Sequence, residues 1–252
     1  MRILFLAHSF NSLTQRLFVE LREAGHEVSV EFDINDAVTE DAVQLFAPDL
    51  IIAPFLKRAI PASVWRRYTC FIVHPGIIGD RGPSALDWAI LDAECCWGVT
   101  VLEANADMDA GDIWASVEFP MRNASKSSLY RGELTRAAVA AVRLAVARFQ
   151  DRSFRPVPLA EAVCRGRQRP LVRQSDRQIH WGVDPTPTVL RKIRSADGFP
   201  GVKAELAGRD LQIFDARPAS GYSGTPGELV AVSGPAVAVA TADGAVWIGH
   251  CT

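Results

Sequence analysis

The chain has 252 residues, of which 48% are hydrophobic and 22% charged, and its formal net charge at pH 7 is -2. This composition is typical of a globular protein with enough apolar residues for one large domain or two smaller ones. The balanced charge gives no global attraction to nucleic acid or to a membrane surface. The sequence contains no internal repeat and no low-complexity tract.

The cysteines and the amino terminus indicate the compartment. The number of cysteines is odd and no CxxC pair is present, which argues against a disulfide framework and against a zinc site. The apolar residues 3–7 are too few for a signal peptide, and no apolar run approaches the roughly 20 residues that span a bilayer. The sequence therefore predicts a cytoplasmic protein with reduced thiols, no membrane segment and no bound metal.

The first part of the chain alternates between strand and helix patterns. Ser12 and Gln15 fit a capping box that opens a helix, and Gly25 is placed to end it. Strands are predicted at 3–7, 28–32, 50–53, 71–73, 99–102 and 113–119, with further helices at 39–46, 84–91 and 127–149. This alternation implies right-handed crossovers, so an α/β, Rossmann-like domain with a mostly parallel sheet is predicted over residues 1–150.

The sequence changes character after residue 150. Prolines and a cluster of arginines predict a linker over residues 151–176. A helix is then predicted at 186–195, followed by β-rich segments at 202–206, 211–215, 228–232, 236–240 and 245–249. Short strands of this kind predict a small OB-like β-barrel subdomain over residues 177–252.

One stretch carries most of the candidate chemistry. An apolar run at 70–73 ends at His74 and Pro75, as a buried strand does when it delivers its last residue to the edge of a sheet. Open α/β sheets bind their ligands at this edge. Asp107, Asp109 and Asp112 follow in an acidic turn. Taken alone, a single histidine more often satisfies a turn, and three acids more often form a solvated loop.

Several motifs together carry a family resemblance. They are His74-Pro75, Arg-Gly-Pro-Ser-Ala-Leu-Asp-Trp-Ala-Ile at 81–90, Gly-Val-Thr-Val at 98–101 and Met-Asp-Ala-Gly-Asp-Ile at 108–113. In this order and spacing they resemble the 10-formyltetrahydrofolate-dependent formyltransferases, a family with a Rossmann-like domain and an OB-like subdomain. Residues 72–83 and 9–12 most resemble the members that act in hydrogenase maturation. Those members continue into an enoyl-CoA hydratase-like domain, which the resemblance predicts for a longer form of this protein.

The resemblance implies roles for individual residues. His74 matches the family's catalytic histidine and Asp109 its catalytic aspartate, whereas Asp112 is interpreted as structural. The loop after the third strand matches the family's pterin-contact loop, so folate binding is expected from Phe55, Leu56, Lys57, Arg58 and Asp107. The alternative for that loop is a basic, solvent-exposed segment with a buried phenylalanine.

One position departs from the family pattern. The residue two before the catalytic histidine is an asparagine in the family, where its amide donates to the formyl oxygen, and here it is Ile72. Losing one such donor typically costs on the order of a hundredfold to a thousandfold in rate. We hypothesise that a thiol acceptor accommodates the loss, because a thiolate attacks without the proton shuttling that an amine requires.

Weaker signals indicate contacts to the phosphates of an acceptor. Hydroxyl, amide and guanidinium groups near helix starts suit anions, although ordinary capping is the commoner use of such residues. The candidates of this kind are Ser9, Asn11, Gln15, Arg81, Arg131 and Ser195.

The first functional hypothesis is formyl transfer from 10-formyltetrahydrofolate to the thiol of coenzyme A. In hydrogenase maturation the formyl-CoA would supply the carbon monoxide ligand of the nickel-iron site, with hydrogenase maturation proteins as partners. A tRNA acceptor is disfavoured because residues 31–41 hold five acids and no lysine or arginine. A sugar-nucleotide acceptor and a non-catalytic, folate-binding scaffold are further alternatives, the last favoured by Ile72 and opposed by His74 and Asp109.

Overall fold

A computed structural model describes residues 1–252, and the chain forms two compact units. The first unit comprises residues 1–85, 96–120 and 131–170, and the second comprises residues 86–95, 121–130 and 171–252. No helix in the structure combines the length and the apolar character needed to cross a membrane.

The first unit is built on a six-stranded sheet in the order β2-β1-β3-β4-β5-β6. Strands β1 to β4 run parallel, whereas β5 and β6 are antiparallel to their neighbours, so the prediction of a mostly parallel sheet is confirmed. The strands are β1 (Arg2–Ala7), β2 (Glu27–Phe32), β3 (Leu50–Phe55), β4 (Cys70–His74), β5 (Cys96–Glu103) and β6 (Ile113–Pro120).

The central strands are apolar on both faces, which is the pattern of a sheet covered on both sides. The helices associated with this sheet are α1 (Ser12–Glu23), α2 (Asp36–Phe46), α3 (Ala62–Trp65) and α6 (Thr135–Gln150). Helix α1 buries Leu13, Leu17 and Leu21 at the spacing of one helical face.

The predicted helix over 127–149 is interrupted. The structure has a short α-helix, α5 (Lys126–Leu129), then a π-helical turn at Tyr130–Leu134, and then α6. The turn contains Gly132, a residue of low helix propensity, and such turns mark a local departure from regular helix geometry.

The second unit contains a five-stranded antiparallel sheet in the order β7-β8-β11-β10-β9. Helix α7 (Thr186–Ala196) packs its apolar face on this sheet through Val189, Leu190 and Ile193. Helix α4 (Ala85–Leu91) falls largely within this unit. The strands are β7 (Val202–Leu206), β8 (Arg209–Pro218), β9 (Leu229–Ser233), β10 (Ala236–Ala240) and β11 (Ala245–Cys251).

The segment predicted as a linker is partly ordered against the first unit. Val157 forms a bridge with Ile113, and Gln168 forms a bridge with Arg81. Residues 165–169 therefore cover the loop that follows β4, where the candidate site lies.

Candidate active site

His74 is the last residue of β4, and its imidazole is buried, with 3% of the residue exposed. The turn that follows the strand is fixed by two side chains of β5. Trp97 Nε1 donates to the carbonyl oxygen of Pro75 at 2.8 Å, and Thr100 Oγ1 donates to that of Gly76 at 2.8 Å. The neighbouring strand thus holds the histidine rigidly at the sheet edge.

Asp109 reaches the same imidazole from the turn between β5 and β6. Its Oδ1 lies 3.5 Å from His74 Nδ1, and its Oδ2 accepts from the backbone N–H of Gly82 at 3.1 Å. Arg81 donates twice to the carbonyl oxygen of Met108 at 3.2 Å, which ties the two loops together. Asp109 itself has a φ of +54°, a left-handed conformation that is costly for a non-glycine residue and tends to occur at functional sites.

A second carboxylate, which the sequence analysis did not select, lies on the other side of the ring. Asp80 Oδ2 is 2.8 Å from His74 Nε2, and only 2% of Asp80 is exposed. Asp80 closes a tight turn by donating its backbone N–H to the carbonyl oxygen of Ile77 at 2.9 Å. No sequence signal marks this position, because an aspartate in a glycine-rich loop is ordinary turn chemistry.

The two carboxylates determine the charge of the histidine. Burial opposes the protonated imidazole, but the contacts and charges of Asp109 and Asp80 outweigh it and raise the pKa of His74 to about 9. For Asp109, burial favours the neutral acid, yet the pKa is lowered by His74, by the Gly82 N–H and by Arg81. Both pKa shifts favour an imidazolium beside an ionised Asp109.

A pocket of about 180 Å³ opens beside Asp109. This volume suits a flat ring system rather than a whole drug-sized ligand, for which sites of roughly 300–1,000 Å³ are usual. Ile72 forms part of its wall and offers no hydrogen-bond donor there. The lining residues are contributed by the loop after β3 (56–60), by Trp65, by Ile72 and by the end of β5 with the following turn (102–109).

Two family models match this chain. Formyl transferase matches residues 33–142, and Formyl transferase, C-terminal domain, matches residues 171–252. This chain belongs to the formyltransferase family. The resemblance seen in the sequence is thereby confirmed. The α/β fold class predicted from the alternation of strands and helices is confirmed by the structure.

Within this family, the formyltransferase is similar to the following three proteins. The hydrogenase maturation factor HoxX of Bradyrhizobium diazoefficiens is 58% identical over 250 residues, covering 99% of this chain and 44% of that protein. The crystal structure of HypX from Aquifex aeolicus in complex with tetrahydrofolic acid matches with a TM-score of 0.93 at 49% identity, covering 100% of this chain and 44% of that one. The methionyl-tRNA formyltransferase of Bacillus licheniformis is 24% identical over 212 residues, covering 82% of this chain and 66% of that protein. The chain thus spans less than half the length of HoxX and HypX.

In this formyltransferase four of the five residues predicted for folate binding lie around one pocket. Leu56, Lys57, Arg58 and Asp107 all line the pocket beside Asp109. Arg58 is anchored there by donating to the carboxylate of Asp36 at 2.8 Å. Phe55 is not among the lining residues, because its ring packs edge-on against His8 at a centroid distance of 6.0 Å.

The residues predicted for anion binding are used differently from one another. Asn11 caps α1 by accepting from Thr14 N at 3.0 Å, and Gln15 donates to the carbonyl oxygen of Phe10 at 2.8 Å. Thr14 Oγ1 also donates to the carbonyl oxygen of Ser9 at 3.3 Å. These residues at the start of α1 therefore make the local capping contacts that were the alternative interpretation.

The other anion candidates separate into three cases. Arg81 is held by the turn between β5 and β6, and Arg131 is exposed in the π-helical turn. The prediction for Ser195 is wrong, because this residue is fully buried and its hydroxyl is engaged by Arg177 and by the carbonyl oxygen of Lys192. Ser195 supports a buried arginine instead of facing a ligand.

Proposed function

We propose that this chain transfers a formyl group from 10-formyltetrahydrofolate to the thiol of coenzyme A. The observation that carries the proposal is the contact between His74 and Asp109 at the edge of a pocket with an apolar wall. Formyl transfer needs a donor for the developing oxyanion and a group that moves a proton, and an imidazolium beside a carboxylate can supply both.

The pocket beside Asp109 fits the pterin ring of the folate. Leu56, Ile60 and Trp65 give apolar contact area, and the turn at 103–109 gives backbone polar groups for the ring edge. Lys57 and Arg58 at the pocket rim suit the carboxylates of the folate tail. HypX, at 49% identity, was crystallised in complex with tetrahydrofolic acid, which supports folate binding by this chain.

The reaction forms one bond and breaks one. The sulfur of the acceptor bonds to the formyl carbon, the bond between that carbon and N10 breaks, and the products are a thioester and tetrahydrofolate. The thiol loses one proton and N10 gains one. We assign this proton relay to Asp109, which lines the pocket. His74 Nδ1 is assigned to donate the hydrogen bond to the developing oxyanion.

Two observations favour a thiol acceptor in hydrogenase maturation. Ile72 leaves the pocket without the family's amide donor, and a thiolate is the nucleophile that least needs a proton shuttle. HoxX, at 58% identity, is named a hydrogenase maturation factor. A tRNA acceptor would meet acidic side chains at the end of β2 and the start of α2, namely Glu31, Asp36, Glu40 and Asp41.

The test is to incubate the purified chain with 10-formyltetrahydrofolate and coenzyme A and to follow formyl-CoA by mass spectrometry. We expect formyl-CoA from the wild type and none from His74→Ala or Asp109→Ala. Asp151→Asn, at an exposed aspartate in the turn after α6, is the control that should retain activity.

Competing acceptors decide the alternatives in the same assay. Formylation of methionyl-tRNA or of an amino-sugar nucleotide, with coenzyme A left unmodified, would contradict the thiol acceptor but not the formyl transfer. Binding of tetrahydrofolate without any formyl product would support the non-catalytic scaffold and contradict the proposed function.

A further inference from the structure

We propose that Asp80 is a positioning residue of this site. It fixes His74 as a charged donor whose Nδ1 faces Asp109 at the edge of the pocket, and that charge replaces the amide donor that position 72 lacks. The catalytic consequence rests on the proposed function, whereas the state assigned to His74 follows from its own surroundings and is measured separately.

The two ring nitrogens of His74 face different groups. Nε2 points to Asp80, which is buried, and Nδ1 points to Asp109, which lines the pocket. Because an ionised carboxylate only accepts hydrogen bonds, the contact at 2.8 Å places a hydrogen on Nε2. Asp80 therefore sets the tautomer, and protonation then adds a hydrogen at Nδ1, the nitrogen that faces Asp109.

The hydrogen-bonding of Asp80 argues against a purely stabilising role. Its Oδ2 meets His74, but its Oδ1 is buried and has no hydrogen-bond partner. A buried carboxylate with one oxygen unsatisfied carries a desolvation cost, which its contact with His74 offsets. The cation on His74 compensates the charge of Asp80 directly.

Two glycines next to Asp80 leave room for its carboxylate and backbone. A Cβ on Gly76 would lie 2.5 Å from both Asp80 Oδ2 and His74 Nε2, so only glycine leaves room for the pair. A Cβ on Gly166, in the segment that covers the loop, would collide with the backbone of Asp80. Two glycines from distant parts of the sequence thus make the contact possible.

No other titratable group competes for His74. The charged side chains that face it are Asp80, from the loop after β4, and Asp109, from the turn after β5, and Arg81 acts on Asp109. Its register partner on β5 is Thr100, which is uncharged. The two carboxylates hold the proton against the effect of burial, and the raised pKa of His74 agrees with this arrangement.

The charge explains how the site can lack an amide at position 72. A hydrogen bond from a charged donor is roughly twice as strong as one between neutral groups. Ile72 contributes only an apolar wall to the pocket, so the donor for the formyl oxygen must come from elsewhere. An imidazolium at Nδ1, kept charged by Asp80, meets that need.

The first experiment measures the state of His74 directly in the whole chain. We would label histidine with nitrogen-15, assign His74 with the His74→Gln variant, and titrate the ring nitrogens by NMR. In the wild type we expect Nε2 to stay protonated throughout and Nδ1 to lose its proton only near pH 9. In Asp80→Asn we expect that titration to move down by roughly 1–3 pH units. Asp33→Asn, which alters the carboxylate in contact with His8, should leave the titration of His74 unchanged.

The second experiment tests the catalytic consequence. As the pH is raised, formyl-CoA production by Asp80→Asn should decline at a lower pH than production by the wild type, with the KM for the folate unchanged. Adding Ile72→Asn to this variant should recover part of the lost kcat. A wild-type His74 that is neutral at pH 7, or protonated only at Nδ1, would overturn the proposal even if the Asp80 variant does not fold. Absence of rescue by Ile72→Asn in a folded Asp80→Asn protein would overturn the compensation. Failure of the wild type to make any formyl product would contradict the proposed function and leave the NMR test of Asp80 intact.

Discussion

Two histidine–aspartate pairs lie at the carboxyl ends of strands in one sheet, and they differ in burial. His8 follows β1, and its Nδ1 lies 3.1 Å from Asp33 Oδ1, with 40% of the His8 side chain exposed. His74 ends β4, and its Nε2 lies 2.8 Å from Asp80 Oδ2, with 4% of its side chain exposed. The residue types and the place in the fold are alike, so the surroundings make the difference.

The two pairs differ in solvent exposure and in the presence of a second carboxylate. Around His8, solvent screens the charges, and such pairs contribute little to stability. Around His74, screening is weak because the ring is buried, and Asp109 adds a second carboxylate within 3.5 Å. The comparison shows that a histidine–aspartate contact by itself does not identify a catalytic site, whereas burial, a second carboxylate and an adjoining pocket do.

The largest effect is expected from replacing the buried histidine or the second carboxylate beside it. His74→Gln and Asp109→Asn should each reduce formyl transfer by on the order of 10²–10⁴-fold, the usual contribution of a positioned proton donor or acceptor. His8→Gln should leave the rate near that of the wild type. Single-turnover assays at saturating folate measure all three. Equal losses in the His8 and His74 variants would show that burial does not distinguish the pairs.

The next effect concerns the space between His74 and Asp80. Gly76→Ala would place a Cβ 2.5 Å from both side chains, and we expect a loss of about 1–3 kcal/mol in the free energy of unfolding. Gly182→Ala is the matched control, because no atom lies within 4 Å of the added Cβ. Urea denaturation measures both. A Gly76→Ala protein as stable as the control would mean that the buried pair is loosely packed.

Sequence reasoning predicted the sheet well because its strands are short apolar runs bounded by turn residues. The strand that ends at His74 is one example, and the acidic turn that carries Asp109 is another. It could not place Phe55, because a residue at a strand end can point to either face, and here the ring packs on His8. Ser195 was predicted to contact an anion because its contact with Arg177 is a tertiary contact, which leaves no local sequence pattern.

Asp80 was missed for a related reason. Its return to the imidazole depends on a tight turn through Gly79, whose φ is +88°, and on the close approach of Gly166 from a distant segment. Neither periodicity nor motif spacing records a contact of that kind. The charged state of the site therefore depends on tertiary packing, which the sequence pattern alone does not contain.

A smaller effect should appear in the pH dependence of stability. The pKa of His74 is raised from 6.5 to about 9, so the folded state holds a proton that the unfolded chain gives up at lower pH. The stabilisation of the folded state by this proton is complete below pH 6.5 and is lost as the pH rises through about 9. Thermal denaturation of the wild type should therefore show a falling Tm over this range. The His74→Gln variant should lack this component, and a wild-type Tm that rises with pH would contradict the assignment.

The smallest effect is expected at the exposed pair. Asp33→Asn should change the free energy of unfolding by about 0–1 kcal/mol, because the half-exposed His8 gains little from a charge that solvent screens. The loss should shrink further in high salt, which screens exposed charges, whereas the loss caused by Asp80→Asn should persist, since salt reaches a buried pair poorly. Urea denaturation of both variants at low and high salt makes the comparison. A salt-independent loss in Asp33→Asn would mean that the buried Oδ2 of Asp33 matters more than its contact with His8, and the two pairs would then differ in degree rather than in kind.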